Sequence, residues 1–325
     1  MTRSTTIEEK RLLAKISKLY YEEGIRQDEI VAKLNLSRSK VSRLLQQARD
    51  EGIVRISVNE PPGIFSDLET TIEKRFRLQE AIIVDVYQPS SQSAIAREIG
   101  AAAANYLVRT VTENDMVGIS WGSTLNEMVE ALEPLNLPSI HIVQIIGGLG
   151  KPESEIHATD LCRRISKRLN CKMTLLPAPG IVDTQNTRSV FLSDSHVQSA
   201  FVLFSGVRVA FVGIGVPSPD SLLMRDGTIL KQSEMDELKE KGAVGDIALR
   251  FFDSYGAFLS TELDQRVIGM EPKDFSKVEK VVGVAGGAEK HRSILGALRG
   301  HLIDVLITDH ETAKFLLENS PKKEN

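Results

Sequence analysis

Residues 27–47 contain two short segments with apolar residues at helical spacing, separated by a break at residues 34–36. Ser37 stands just before the second segment, where a helix needs an N-cap residue whose side-chain oxygen accepts a backbone N–H. The two apolar faces predict a pair of helices that pack against each other as a helix-turn-helix. Their members are Ile30, Val31 and Leu34 in the first segment and Val41, Leu44 and Leu45 in the second.

The second helix of this pair has a short outer face rich in basic and hydroxyl side chains. A helix that enters the major groove of DNA needs side chains of these kinds on its exposed side. An ordinary helical hairpin with a solvated basic face is the alternative interpretation. The residues that we expect to contact double-stranded DNA are Gln27, Ser37, Arg38, Ser39, Lys40, Ser42 and Arg43.

Charge is distributed unevenly along the chain. The 325 residues carry a net charge of −4, but the first 55 hold twelve Lys and Arg against eight Asp and Glu, a net charge of +4. The remaining residues therefore carry −8. A basic N-terminal segment followed by an acidic remainder is expected when only the former meets the phosphates of nucleic acid.

Cysteine and histidine usage argue against a disulfide framework and against a metal site. Cys162 and Cys171 are nine residues apart and form no C-x-x-C pattern, and the six histidines show no metal-ligand spacing. Charges scattered over residues 3–15 do not resemble a signal peptide, and no apolar run approaches about 18 residues. We therefore expect a cytoplasmic protein with no membrane span, metal or cofactor.

The N-terminal region is predicted to be a winged variant of the helix-turn-helix. A first helix is expected over residues 8–23, and alternating residues 53–58 predict the strand of a wing. A Pro-Pro-Gly sequence at residues 61–63 indicates a linker, and residues 66–78 predict a helix that either joins subunits or packs within one chain. The expected domains are 1–58 for DNA binding, 59–80 as linker and connecting helix, and 81–320 for effector binding and oligomerisation.

From residue 81 onwards, short apolar β-branched runs alternate with helical stretches. Wholly apolar runs of this kind are typical of parallel strands buried on both faces. The pattern predicts an α/β domain with a doubly wound, mostly parallel sheet. Strands are expected at residues 81–86, 116–120, 141–146, 173–176, 209–214, 280–284 and 305–308.

A glycine-containing turn follows the strand predicted at residues 116–120 and opens a helix at Gly122, Ser123, Thr124 and Leu125. Ligands bind open α/β sheets at the carboxyl ends of strands, and free N–H groups at a helix N-terminus bind phosphate. This turn is therefore a predicted phosphate site. A simple capping turn is the alternative, because Ser and Thr cap helices of every kind.

Lys290 follows the glycines at residues 283–287 and stands in the first turn of a helix predicted over residues 290–298. The helix macrodipole disfavours a cation at that place, and a bound anion would offset the effect. Lys290 is accordingly predicted to contact phosphate, with a solvated surface lysine as the alternative.

Two further positions are candidates for contacts with a ligand. The Gly147-Gly148 pair follows a predicted strand without the spacing of a dinucleotide fingerprint, so it either lets the backbone approach a ligand or forms a plain loop. Asp253, in an apolar context before Gly256, either accepts hydrogen bonds from sugar hydroxyls or initiates a turn.

Several motifs stand in a fixed order along almost the whole chain. They are L-S-R-S-K-V-S-R-L-L at residues 36–45, S-W-G-S-T at 120–124, L-P-A-P-G at 176–180, G-A-V-G-D at 242–246, R-F-F-D at 250–253 and G-V-A-G-G at 283–287. In these motifs the chain resembles the SorC-type (SorC/DeoR) sugar-responsive bacterial transcriptional regulators.

The resemblance implies a winged DNA-binding unit followed by a unit related in fold to sugar-phosphate isomerases, deaminases and CoA-transferases. It also implies a homotetramer whose affinity for operator DNA of a carbohydrate operon changes when a phosphorylated sugar or polyol binds. By this resemblance the phosphate would contact residues 122–125 and Lys290. Asp253 and the backbone of Gly147 and Gly148 would face the sugar hydroxyls.

Two functions of different class remain open from the sequence. One is a transcription factor without catalytic activity, controlled by an effector. The other is an enzyme acting on sugar phosphates, which would need a positioned acid and base. Asp253 and Asp309 are the candidates for these roles, but no spacing assigns either of them to catalysis.

Overall fold

The structure is a computed structural model that describes residues 6–56, 61, 63–148, 158–218 and 230–320. The chain divides into two compact units, which we call the head (Met1–Glu60) and the body (Pro61–Asn325).

Three helices form the described part of the head: α1 (Ile7–Ser17), α2 (Gln27–Leu34) and α3 (Arg38–Asp50). A capping box of Thr6 and Glu9 begins α1, and a π-helical turn over Lys18–Glu22 continues it. The helices enclose a small apolar core in which both predicted apolar faces take part. Its buried members are Ile16, Leu19, Ile30, Val41 and Leu45.

The strand predicted over residues 53–58 is absent from the part of it that the structure describes. Residues 53–56 form bends and irregular backbone after α3, and Gly52 adopts a left-handed conformation (φ 70°) that ends the helix. Ser57 and Val58 lie outside the described residues.

A seven-stranded parallel sheet forms the centre of the body, as the apolar runs predict. Nine strands are present in the described residues: β1 (Glu80–Val84), β2 (Met116–Ile119), β3 (His141–Gln144), β4 (Lys172–Thr174), β5 (Val207–Gly213), β6 (Gly245–Ile247), β7 (Arg250–Phe252), β8 (Lys280–Val284) and β9 (Val305–Asp309). The order across the sheet is β1-β9-β8-β5-β2-β3-β4, and β6 and β7 form a separate antiparallel pair.

Helices cover both faces of this sheet, so the doubly wound α/β architecture is confirmed. The helices are α4 (Ser66–Phe76), α5 (Gln92–Thr110), α6 (Ser123–Ala131), α7 (Ala158–Leu169), α8 (Gln185–Ser193), α9 (Ser195–Val202), α10 (Gln232–Glu240), α11 (Pro272–Phe275), α12 (His291–Arg299) and α13 (His310–Glu318).

The side chains of successive residues along a strand point to opposite faces of the sheet and so pack in two different cores. Val209 and Phe211 pack with α5, α6 and α7, whereas Ala210 and Val212 pack with the helices of the other face. Among the helices of the described residues, none combines the length and the apolar character that crossing a bilayer requires.

The helix α4 packs within the body rather than standing free as a connecting helix. Its Ile72 is fully buried, and its Glu69 and Glu73 accept hydrogen bonds from the N–H groups of Ile83 and Ala81 at 2.9 Å. These carboxylates satisfy donors on the outer edge of β1, which would otherwise be free to pair with another strand.

Just before α4, Phe65 stacks on the ring of His310, with 5.4 Å between the ring centroids. His310 is the first residue of α13 and directly follows β9. The start of α4 is therefore attached to the first turn of α13.

The β6–β7 hairpin, which the sequence did not predict, lies along α12. Ser293 on α12 donates a hydrogen bond to the carbonyl oxygen of Val244 at 2.6 Å, and Gly296 packs closely against the backbone of Asp253. The hairpin thus places Asp246 toward the start of α12 and Asp253 near its middle.

Candidate nucleic-acid interface and effector site

The structure places the predicted DNA-contacting residues on one exposed helix and its neighbour. Ser37 caps α3 and accepts the N–H of Lys40 at 3.3 Å, while Asn35 ends α2 in a left-handed conformation (φ 53°). This short connection orients α3, whose Val41 and Leu45 are buried in the head. Six of the seven predicted residues are exposed: Ser37, Arg38, Ser39, Lys40, Ser42 and Arg43.

Gln27, the seventh, is half-buried at the first position of α2. Across the turn, the Nε atom of Arg38 lies 3.5 Å from a carboxylate oxygen of Asp28. Both side chains are largely exposed, so this pair contributes little to stability. The basic face of α3 is consequently available to bind an anionic partner.

The candidate effector site lies where the order of the sheet reverses. From β2 the chain proceeds to β3 and β4 on one side, and from β5 it proceeds to β8 and β9 on the other. At such a reversal the loops at the carboxyl ends of the two central strands, here β2 and β5, are expected to diverge and leave a crevice. We call it the crevice and define it by the loops at residues 120–122, 214–216 and 285–290.

The first wall of the crevice is the N-terminus of α6. Gly122 is its N-cap residue, with φ 133°, and supplies no side-chain cap. A Cβ atom at Gly122 would meet no heavy atom of the described residues within 4 Å, so the backbone of this turn is uncovered on the side that a Cβ would occupy. The capping alternative therefore does not describe this turn. Thr124 and Leu125 have buried side chains, so Leu125 could offer a ligand only its backbone N–H.

Lys290 lies on the other side of β5, at the end of a 3-10 turn over Ala288–Lys290. It directly precedes α12 instead of standing in the first turn of that helix. Burial lowers the pKa of Lys290, and the charges of Glu289 and Asp246 partly oppose this shift. Lys290 is half-buried, and a bound anion would stabilise its charged form.

Asp246, which was not predicted from the sequence, is a buried carboxylate that interacts electrostatically with Lys290. Its side chain is 4 % exposed and accepts the N–H of Leu249 at 3.1 Å. Burial raises its pKa to about 6, although Leu249 and Lys290 both lower it. Two backbone hydrogen bonds join Asp246 to Gly215, two residues after the end of β5.

Gly215 has no room for a side chain, because a Cβ atom there would collide with the carboxylate of Asp246. The only sequence signal for Asp246 is its place at the end of the G-A-V-G-D motif. Its burial comes from contact with Gly215, about thirty residues earlier, which local sequence does not reveal.

The structure explains the Gly147-Gly148 pair without a ligand. The N–H of Gly147 donates to the carbonyl of Ile268 at 3.0 Å, and that of Gly148 donates to Ala178 at 2.9 Å. A Cβ atom at Gly147 would stand 2.5 Å from the carbonyl oxygen of Pro179. The close approach is thus to the chain itself, and these N–H groups are not available to sugar hydroxyls.

Asp253 forms a turn, the second of its two predicted roles. One of its carboxylate oxygens accepts the N–H groups of Tyr255 and Ala257, both at 2.9 Å. Asp253 packs beside Gly296, six residues beyond Lys290, which is roughly 9 Å along a helix. The hairpin therefore places Asp246, and not Asp253, in electrostatic range of Lys290.

Asp309 holds the Lys290 loop in place. Its carboxylate accepts the N–H of Gly287 at 2.8 Å and both the N–H and the hydroxyl of Thr312 at 2.9 and 2.6 Å. The side chain is only 2 % exposed. Because these hydrogen bonds use both carboxylate oxygens, Asp309 is a structural cap of α13 and is not positioned as an acid or a base.

An exposed basic helix-turn-helix and a parallel α/β unit with a polar crevice together define a transcriptional regulator that carries a ligand-binding domain. Residues 62–318 match the Sugar-bind family, a sugar-binding domain. The sorbitol operon regulator of Klebsiella pneumoniae is 32% identical over 319 residues, covering 95% of this chain and 98% of the relative. The deoxyribonucleoside regulator of Bacillus subtilis is 31% identical over 313 residues, covering 96% and 99%.

The crystal structure of the full-length sorbitol operon regulator SorC from Klebsiella pneumoniae superposes with a TM-score of 0.73 at 31% identity. The match covers 94% of this chain and 98% of that one. The chain belongs to the SorC family of sugar-binding transcriptional regulators. Since these relatives are regulators, the alternative interpretation as a sugar-phosphate enzyme is wrong.

Proposed function

We propose that this regulator controls a carbohydrate-utilisation operon and that a phosphorylated sugar or polyol is its effector. Residues 1–58 would bind operator DNA, and residues 81–320 would bind the effector and mediate oligomerisation. Residues 59–80 would be the linker and helix that connect these two domains. The chain would act in the cytoplasm as a homo-oligomer, a tetramer, so that paired heads reach two half-sites of one operator.

The observation that carries the proposal is the uncapped N-terminus of α6 in the crevice. The N–H groups of Ser123, Thr124 and Leu125 would donate to the phosphate, because the first N–H groups of a helix have no partner within it. Gly122 keeps the approach open, and Lys290 would add positive charge from the far side of β5.

Asp246 supports a sugar as the rest of the ligand. Its carboxylate accepts one backbone N–H and has capacity for further hydrogen bonds, which sugar hydroxyls can donate. Donors for a phosphate and an acceptor for hydroxyls would thus lie within the same crevice. This division of polarity fits a sugar phosphate better than either phosphate or a free sugar alone.

The effector would act by binding one quaternary or conformational state of the regulator more tightly than another. Operator affinity then changes by the difference in binding free energy, typically about 1–3 kcal/mol.

A panel of sugar phosphates tested beside their unphosphorylated parents addresses the effector. A ligand at about 100 times its Kd adds about 2.7 kcal/mol to the free energy of unfolding, which a thermal shift detects. Trp121, the only tryptophan, adjoins Gly122 and provides a second readout by fluorescence.

Lys290→Met should weaken binding of the active phosphate about 10- to 100-fold, as expected for a lost charged hydrogen bond. The matched variant Lys239→Met removes an exposed lysine of α10 and should bind like the wild type. If no phosphorylated compound shifts the unfolding transition, the anion site is wrong.

Operator binding is tested with two arginines of α3. Arg43→Ala should abolish sequence-specific binding while the thermal shift by the effector is unchanged. Arg49→Ala, an exposed position near the end of the same helix, should retain specific binding. Equal losses in the two variants would contradict the proposed DNA-contacting face.

A further inference from the structure

Asp246 receives fewer hydrogen bonds than the other buried carboxylates of the chain. Within the described residues, three carboxylates are buried: those of Asp115, Asp246 and Asp309. The carboxylates of Asp115 and Asp309 each accept three or more hydrogen bonds. That of Asp246 accepts one, from the N–H of Leu249 at 3.1 Å. Since an ionised carboxylate has capacity for about four hydrogen bonds, the charge of Asp246 is poorly compensated when it is buried in this way.

The surroundings of Asp246 supply no second donor to its carboxylate. Its other carboxylate oxygen faces Gly215, whose N–H is already donated to the backbone carbonyl of Asp246 at 2.9 Å. Lys290 is the one charged residue of the described chain that acts electrostatically on Asp246, and no ion pair joins the two side chains. Arg250, in the same hairpin, donates to Asp264 instead. The carboxylate is therefore left with room for a further donor, either a proton or the hydroxyl of a ligand.

Protonation and binding of sugar hydroxyls oppose each other at this carboxylate. A hydrogen bond to an ionised acceptor is roughly twice as strong as one to a neutral acceptor, so a protonated Asp246 would hold hydroxyls less tightly. Burial raises the pKa of Asp246 to about 6, against the opposing effects of Leu249 and Lys290. The side chain is thus mostly protonated at pH 5 and mostly ionised at pH 7.5.

We propose that protons compete with the effector for Asp246, so that mild acid weakens effector binding and the regulator responds to its sugar phosphate in a pH-dependent manner. This inference rests on the proposed function and adds a form of regulation to the same site. On binding, the sugar hydroxyls would replace the proton of Asp246, and that proton passes to the solvent. If the complex requires the ionised form, the Kd should rise about 10-fold from pH 7.5 to pH 5 through Asp246 alone.

Isothermal titration calorimetry of the full-length chain at these two pH values measures the coupling. The probe is the sugar phosphate that gives the largest thermal shift in the panel. Its own phosphate group changes charge in the same range, because the second pKa of a phosphate monoester is about 6. Wild type and Asp246→Asn are therefore compared at each pH, since the ratio of their Kd values cancels the contributions of the phosphate and of Lys290.

Asp246→Asn should bind this sugar phosphate about 10- to 100-fold more weakly than the wild type at pH 7.5. At pH 5 the ratio of the two Kd values should be about 10-fold smaller, because the wild type has then also lost its anionic acceptor. In two buffers of different ionisation enthalpy at pH 5.5, the wild type should release most of one proton more than the variant. Asp236→Asn, which removes an exposed carboxylate of α10, is the matched control and should follow the wild type throughout.

Inorganic phosphate distinguishes this role of Asp246 from damage to the fold. It can reach the N–H groups of α6 and Lys290 but brings no sugar hydroxyl, so Asp246→Asn should not weaken its binding at pH 7.5. Equal weakening of inorganic phosphate and sugar phosphate would overturn the inference, as would a ratio for the sugar phosphate that is the same at both pH values. The proposed function still stands after either result if Lys290→Met weakens the sugar phosphate, whereas absence of any sugar-phosphate binding would overturn both.

Discussion

The buried carboxyl of Asp246 should make the stability of the body depend on pH in a way that one substitution removes. Burial raises its pKa from 3.8 to about 6. Between these values the folded chain binds more protons than the unfolded chain, so the free energy of unfolding falls as the pH rises. A shift of about two pKa units corresponds to about 3 kcal/mol, lost progressively between pH 4 and pH 6.

Asp246→Asn removes the ionisation and keeps a side-chain oxygen to accept the N–H of Leu249. Relative to the wild type, the variant should gain about 3 kcal/mol of stability between pH 4 and pH 7.5. Taking the difference between the two proteins cancels other titrating groups, such as Asp115 and Glu271, whose lowered pKa values act in the opposite direction.

Urea unfolding followed by Trp121 fluorescence measures this effect in the body alone, because the head contains no tryptophan. Asp236→Asn, which removes an exposed carboxylate, is the control and should follow the wild-type pH profile. If the difference between wild type and Asp246→Asn is the same at pH 4 and pH 7.5, the buried carboxyl is not ionised as argued. The same variant should also bind the active sugar phosphate more weakly, since it loses an anionic acceptor for hydroxyls.

Three further predictions concern stability. Ser37→Ala should lower the protection of residues 38–50 from hydrogen exchange by about 1 kcal/mol, because the α3 N-cap is lost; equal protection would contradict its capping role. Gly147→Ala should destabilise the body by about 1–3 kcal/mol in urea, since its Cβ would press on Pro179; an unchanged midpoint would refute this close contact. Burial raises the pKa of Asp115, but hydrogen bonds from Arg208 and Thr112 lower it by more, so the net shift is downward. Its stabilisation is therefore present at neutral pH and lost in acid, so Asp115→Asn should lower stability by about 2 kcal/mol at pH 7 and progressively less toward pH 3.

The sheet could be predicted from sequence because parallel strands buried on both faces leave continuous apolar runs. All seven of its strands were expected, and β8 begins and ends at the predicted residues. The β6–β7 hairpin was missed because its strands have three residues each and are stabilised by α12 rather than by a pattern of their own. For the helix-turn-helix, the apolar spacing and the cap at Ser37 were sufficient.

Site residues were harder to predict wherever the decisive contact is distant in sequence. A glycine that approaches a ligand and one that approaches its own chain look alike locally, so Gly147 was assigned to the effector although Pro179 is its partner. Asp253 and Asp246 stand on the same hairpin, and only the packing against α12 distinguishes them. The helix α6 likewise lacks a side-chain cap from its N-cap residue because it begins at Ser123, which makes Gly122 the N-cap. The sequence allowed this boundary but did not require it.

The two adjacent residues Asp309 and His310 have a consequence for how a bound ligand could influence the rest of the chain. Asp309 holds the backbone of the Lys290 loop, and His310 stacks on Phe65, where the chain enters α4. If the effector binds Lys290 as proposed, its contact would act on a loop that Asp309 holds, and Asp309 is the neighbour of the residue that anchors the start of α4. The first turn of α13 thus joins the Lys290 loop to the start of α4 through two consecutive residues.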